Sequence, residues 1–173
     1  MWYFAYGSNM QSATLRGRRG VTYERAVPAR LCGWRIVFDK PPLVPVGYAV
    51  ANIVPDAGAE TLGVVFDITA EDLAHVELTE GVLVGNYARV DVEVLPLAPA
   101  AAAPLAAVSL SSGRRDPELR PSTRYMELLV TGALEHGLPA DYVEFLRGIP
   151  TVLEGAEAIA LRALIDEALR RRP

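Results

Sequence analysis

Apolar and polar positions follow two different periods along the chain, and the switches between them mark its elements. WYFAY, residues 2–6, is a continuous apolar run that predicts a buried strand. It breaks abruptly into Gly7, Ser8 and Asn9, and the segment behind, MQSATLRG, reads as a helix that Ser8 or Asn9 can cap. ARLCGWRIVFD alternates around Trp34, Ile36 and Phe38 and predicts a second strand. Its successor KPPLVPVG is a loop, because prolines cannot donate to a ladder. YAVANIVP and TLGVVFDI predict two further strands, with PDAGAE as the turn between them.

TAEDLAHVELTEG predicts a short helix. Thr69 caps it with Asp72 three residues on, Leu73 and Val76 form its apolar stripe, and Gly81 stops it. YARVDVEVLPL and LAAVSLSS predict two strands, joined by the low-complexity APAAAAP as a variable hairpin tip. After the loop GRRDPELRPS come three helices: TRYMELLVTGALEHG, a short one from Asp141 to Leu146, and a C-terminal one over residues 154–172. Regular βαβ alternation, GxGxxG and P-loop signatures are all missing, which excludes a doubly wound nucleotide fold. The pattern predicts an α+β fold: a small mixed, mostly antiparallel sheet curled into a barrel flanked by helices. The length of 173 residues predicts one domain over 1–173.

Composition narrows the function. Hydrophobic residues make up 51% and charged residues 22%, a globular balance. A formal net charge of -4 gives no support to nucleic-acid or anionic-membrane binding. The arginine clusters at 18–19, 114–115 and 170–172 read as solvated loops and a tail. Cys32 is the only cysteine, so neither an internal disulfide nor a thiolate cluster forms, and between Leu31 and Gly33 it reads as a small buried hydrophobe. His75 and His136 lack the paired spacing of a metal site. Two residues ahead of YFAYGSN are too few for a signal peptide, and Glu93 and three prolines interrupt the most apolar stretch, 92–110. These features predict a cytoplasmic protein without a membrane partner.

Three groups carry candidate chemistry. A Gly-Ser-Asn turn at a helix start presents backbone N–H groups that lack partners, and so suits a carboxylate or phosphate; a plain capping turn is the alternative. Glu80 lies at the C-terminal end of a predicted helix, where the dipole opposes a carboxylate by roughly 0.3–1 kcal/mol. That field disfavours the ionised form, which suits a proton-exchanging group; an exposed surface glutamate is the alternative. Glu77 shares its helix face and can serve as a brace. Tyr87, opening a strand, and Tyr125, opening a helix, can bond a ligand or Glu80, or simply pack.

Together YFAYGSN, GVVFDIT, ELTEGV, GNY, PSTRY and GLPADY, in that order, resemble the γ-glutamyl cyclotransferase family, which includes AIG2-like proteins. The resemblance spans residues 2–148. It implies a mixed β-barrel with flanking helices, and a reaction that converts a γ-glutamyl amino acid or amine into 5-oxoproline without cofactor or metal. It implies that Tyr6, Gly7, Ser8 and Asn9 hold the γ-glutamyl group, that Glu80 is the acid/base, that Tyr87 lines the site and that Tyr125 borders it. The partner implied is a small γ-glutamyl substrate, on a monomer or homodimer. Cyclisation of a γ-glutamylamine, removal of a biosynthetic γ-glutamyl cap, and a non-catalytic binding module stay open beside it. One strand departs from the family pattern: Val108, Ser109 and Leu110 stand where a tyrosine is expected. The leaving-group side is therefore expected to be roomier, or filled by Tyr125 or an arginine of GRRDPELR.

Overall fold

The computed structural model describes residues 1–98 and 102–170. Five strands close a barrel in the order β1-β3-β2-β4-β5. They are β1 (Trp2–Ala5), β2 (Ala26–Lys40), β3 (Val50–Asp67), β4 (Ala88–Pro96) and β5 (Leu105–Ser111). Neighbours are antiparallel except β1 and β5, which run parallel and seal the barrel through Trp2↔Ala107 and Tyr3↔Val108. The expected mixed, mostly antiparallel barrel is therefore present. Phe4, Leu31, Ile53, Val64, Val65 and Phe66 fill its core, each almost fully buried. Alternation decides which side chains turn inward: Leu31 is buried while its neighbour Cys32 is exposed, against the expectation of a buried thiol.

The expected turn at PDAGAE does not exist. β3 is one strand of 18 residues, and β2 pairs with it along almost its whole length. The Pro, Asp and Gly signals instead mark an irregularity, where the register shifts between Cys32 and Trp34. Between the Cys32↔Glu60 and Trp34↔Pro55 pairs β2 has only Gly33, at a left-handed φ of 79°, while β3 has Asp56 to Ala59, so β3 bulges and continues rather than reversing. The hairpin tip expected at APAAAAP falls partly on residues 99–101, outside the described residues.

Among the described residues four α-helices flank the barrel: α1 (Ala70–Thr79), α2 (Thr123–Glu135), α3 (Ala140–Arg147) and α4 (Ala156–Arg170). Residues 171–173, which include the expected end of the C-terminal helix, lie outside the described residues. Thr69 caps α1 by accepting from the Asp72 amide at 3.0 Å, as the sequence predicts. Ser122 caps α2 in the same way through the Tyr125 amide at 3.1 Å. The segment after Gly7 differs from the expected helix. It is a single 3-10 turn over Ser8–Met10 followed by a π-helical stretch over Ala13–Arg18, and no side chain caps either. Helix α2 presses against this turn at Gly132, where an added Cβ would lie 2.7 Å from the Gln11 amide nitrogen. Among the described residues no helix is long and apolar enough to cross a membrane.

Candidate functional site

One end of the barrel is where β1, β2 and β5 finish and β3 and β4 begin. A cavity of about 370 Å³ opens there. Tyr6, Gly7, Ser8, Asn9, Glu80, Tyr87 and Tyr125 all line it, so the fold brings every candidate residue to one place. Glu77 does not line it; Arg89 lies 3.6 Å from its carboxylate instead. Among the described residues no group of His, Cys, Asp and Glu is arranged to hold a metal ion.

Glu80 forms the C-cap of α1, at the unfavourable end of the helix dipole. The fold answers with a cation. Arg19 Nη2 donates to Glu80 Oε1 at 2.5 Å, and Asn9 Nδ2 donates to the same oxygen at 3.0 Å. Arg19 also reaches Asn9 Oδ1 through Nε at 2.9 Å and Thr79 Oγ1 through Nη1 at 2.7 Å. The second hydrogen of the Asn9 amide goes to the Tyr3 hydroxyl at 3.0 Å. Every polar position of the Asn9 side chain is thus committed, so its role is to aim Glu80 rather than to cap a helix. Glu80 Oε2 takes no hydrogen bond among the described residues and is not sealed off from solvent.

The Gly7 and Ser8 amides find no main-chain acceptor among the described residues, although the carbonyls of both residues accept from Met10 and Gln11. A three-residue turn carries no macrodipole worth the name, so attraction for an anion here comes from these local N–H groups alone. Gly7 has φ -111°, open to any residue. Its lack of a side chain matters for another reason: an added Cβ would sit 3.2 Å from the Tyr125 hydroxyl.

The three tyrosines divide into two roles. Tyr6 donates its proton to the Leu110 carbonyl at 2.6 Å, and Tyr87 donates to the Ala51 carbonyl at 2.7 Å. Both phenols are therefore occupied and present ring surface to the cavity. Tyr125 instead accepts, from the Ala51 amide at 3.0 Å. Its own proton is left for a ligand. Burial raises all three phenols well above their ordinary range, so Tyr125 remains a donor at any physiological pH.

Sequence reasoning missed Arg19, Lys40 and Asn86. Lys40, fully buried at the end of β2, donates to Asn86 Oδ1 at 2.8 Å and to the Pro41 carbonyl at 2.9 Å, and lies 4.1 Å from the centre of the Tyr87 ring. Burial, and then repulsion from Arg114, pushes it down to about 8, with Glu80 opposing. Asn86 Nδ2 donates to the Glu80 carbonyl at 2.8 Å, linking lysine to glutamate. The signal available was the glutamate itself: a carboxylate at a helix C-terminus asks for a cation. On the departing strand, Ser109 bonds the Phe4 carbonyl and Leu110 lines the cavity. No arginine of GRRDPELR fills the space. Arg114 holds Asn86, Arg115 pairs with Asp39, and Arg120 bonds the Pro117 and Leu119 carbonyls.

Comparison with known proteins places this arrangement. The gamma-glutamyl cyclotransferase aclK of Aspergillus oryzae (strain ATCC 42149 / RIB 40) is 31% identical over 167 residues, covering 85% of this chain. The chain spans about 60% of that relative's length. A gamma-glutamylcyclotransferase of Bos taurus is 29% identical over 152 residues, covering 85% of this chain and 77% of its own. A solved structure of a gamma-glutamyl cyclotransferase superposes with a TM-score of 0.76 at 24% identity, covering 96% of this chain and 98% of that one, and shares the fold. The AIG2-like family profile matches residues 60–146, from the second half of β3 through α1 and its glutamate to α3, and the chain belongs to the AIG2-like family.

Proposed function

We propose that this chain is a γ-glutamyl cyclotransferase, closing the γ-glutamyl part of a conjugate into 5-oxoproline with release of the attached amine or amino acid. The observation that carries the reading is the asymmetry of Glu80. Oε1 is fixed by Arg19 and Asn9, while Oε2 is accessible in the cavity wall. A carboxylate aimed by one oxygen is equipped to take a proton with the other. The two relatives named as cyclotransferases support the same reading.

The reaction needs no second reactant. Glu80 takes a proton from the substrate's α-ammonium, which frees the nitrogen lone pair. That nitrogen attacks the γ-carbonyl carbon, forming the ring C–N bond and a tetrahedral oxyanion. Glu80 returns its proton to the departing nitrogen, the old C–N bond breaks, and the carbonyl reforms. The ring nitrogen sheds a second proton, which the released amine takes up. Holding the substrate folded on itself supplies much of the acceleration, up to about 7–11 kcal/mol in ideal cases. The Gly7 and Ser8 amides and the Tyr125 hydroxyl are the donors offered to the α-carboxylate or the oxyanion. Assay of 5-oxoproline release from γ-glutamyl dipeptides, glutathione and γ-glutamylamines tests the reading. Release that disappears in Glu80→Gln supports it; no release from any of them defeats it.

A further inference from the structure

Resting on the cyclisation reading, we propose that Arg124 receives a free carboxylate on the leaving amine, so that the cavity prefers γ-glutamyl conjugates of apolar amino acids to γ-glutamylamines. The other cations around the cavity are accounted for, and Arg18 among them is engaged in an interaction of its own. Arg19 serves Glu80, Asn9 and Thr79. Lys40 serves Asn86 and Pro41. Arg162 pairs with Glu154, Nη2 to Oε2 at 3.1 Å. Arg124 lines the cavity half-buried, and among the described residues its guanidinium makes neither a hydrogen bond nor an ion pair.

Its position is also electrostatically unusual. Arg124 lies in the first turn of α2, which contains no acidic residue, so its charge adds to the positive end of the helix dipole. Arg18, Arg162 and Glu154 stand with it within electrostatic reach of Tyr48. An anionic ligand offsets the charge of Arg124 itself. Arg124 directly precedes Tyr125, whose hydroxyl lies beside Gly7, and both residues line the same cavity. A guanidinium takes a carboxylate through two parallel bonds, and an amine without a carboxylate offers it nothing. Leu128, one turn along α2, together with Leu43, Val46 and Ile165, gives the same cavity apolar surface for a leaving side chain.

Three conjugates test this: γ-glutamyl-leucine, its isostere γ-glutamyl-asparagine, and γ-glutamyl-3-methylbutylamine, which is the leucine conjugate without the carboxylate. Wild-type kcat/KM is expected to favour leucine over the amine by about 10- to 100-fold, the scale of a charge-assisted pair. Leucine is expected to exceed asparagine by a smaller factor. Arg124→Gln is expected to collapse the leucine-to-amine ratio towards one, and Arg124→Lys to restore part of it. An equal loss for leucine and amine conjugates would mean that Arg124 holds the glutamyl end, and overturns the proposal. So does a ratio that survives Arg124→Gln, or a wild type that does not distinguish the two. A preference for asparagine overturns the apolar part. If none of the three turns over, the cyclisation reading fails separately. Calorimetric binding of the same conjugates then decides the subsite: tighter binding of the leucine conjugate, lost in Arg124→Gln, supports it, and equal binding defeats it.

Discussion

Arg19 and Glu80 stand 61 positions apart in the chain and 2.5 Å apart in the fold. The arginine is almost completely buried and the glutamate partly so, with side-chain exposures of 6% and 18%. The pair lies where a carboxylate alone would be opposed by its own helix. Removing either partner therefore strands a charge in a poorly solvated place, and the two removals differ in what remains.

Arg19→Met is expected to destabilise the fold by about 3–5 kcal/mol, the cost of a buried carboxylate left without its partner. It also abolishes turnover by freeing Glu80 from its aim. Glu80→Gln keeps an acceptor for Asn9 and Arg19, so its expected cost is smaller, about 1–3 kcal/mol, while turnover falls by at least about 10²-fold. Urea unfolding beside kinetics separates the two. A Glu80→Gln enzyme of near-normal turnover removes Glu80 as the proton carrier.

Gly7→Ala is expected to act on catalysis more than on folding, because the backbone there tolerates any residue and the obstruction is the Tyr125 hydroxyl. Displacing that hydroxyl from the Ala51 amide predicts a loss of about 5- to 10-fold in kcat/KM. The melting temperature should fall by no more than about 4 °C. Adding Tyr125→Phe removes the obstacle, so the two losses should add to less than their sum. Strict additivity would show that the collision is not the cause.

Tyr125→Phe and Tyr87→Phe each remove one oxygen bonded to Ala51 and should differ in kinetics rather than in stability. The first also removes a donor aimed at the ligand and should lower kcat/KM by about 10-fold or more, beside a loss of about 1–3 kcal/mol from the unpaired Ala51 amide. The second leaves the buried Ala51 carbonyl without its partner and should lower stability by about 1–3 kcal/mol, with the smaller kinetic effect. Matching kinetic profiles for the two variants would refute the division of roles.

Lys40 supplies a pH signature. Its folded value of about 8 lies below the 10.5 of an unfolded lysine, so between those limits the unfolded chain binds more protons. Stability contributed by this site therefore rises as pH rises from about 8 to 10.5, and is constant below. The buried tyrosines titrate the other way above pH 10, so the test is the difference between wild type and Lys40→Met. That difference should move in favour of wild type by on the order of 2–3 kcal/mol between pH 7 and pH 10. A pH-independent difference would place the lysine's ionisation elsewhere.

The strands apart from the break expected in β3, α1 with its cap, and α2 were legible from local pattern, and the clustering of YGSN, Glu80 and both later tyrosines from the family resemblance. Three of the features that were not share one cause. The PDAGAE segment carries every turn signal, yet long-range pairing of β2 with β3 overrides them and turns the signal into a bulge opposite Gly33. The Arg18–Arg19 doublet looks solvated, because nothing local says that its second member passes under Glu80. Lys40 ends a strand beside two prolines, and its burial depends on Asn86 and Tyr87 arriving from 46 and 47 positions away. Each omission is a contact between distant segments, which periodicity cannot encode.

Ala51 is where the two later tyrosines meet: its amide is held by Tyr125 and its carbonyl by Tyr87. It falls between the Val37↔Asn52 and Lys40↔Val50 pairs, at a register irregularity of the ladder. Both bonds belong to the peptide backbone, which every amino acid except proline supplies in full. On the Ala51 side, no change of side chain short of proline removes either group. The spacing of the site is therefore anchored to main chain at one end and rests on two phenol oxygens at the other.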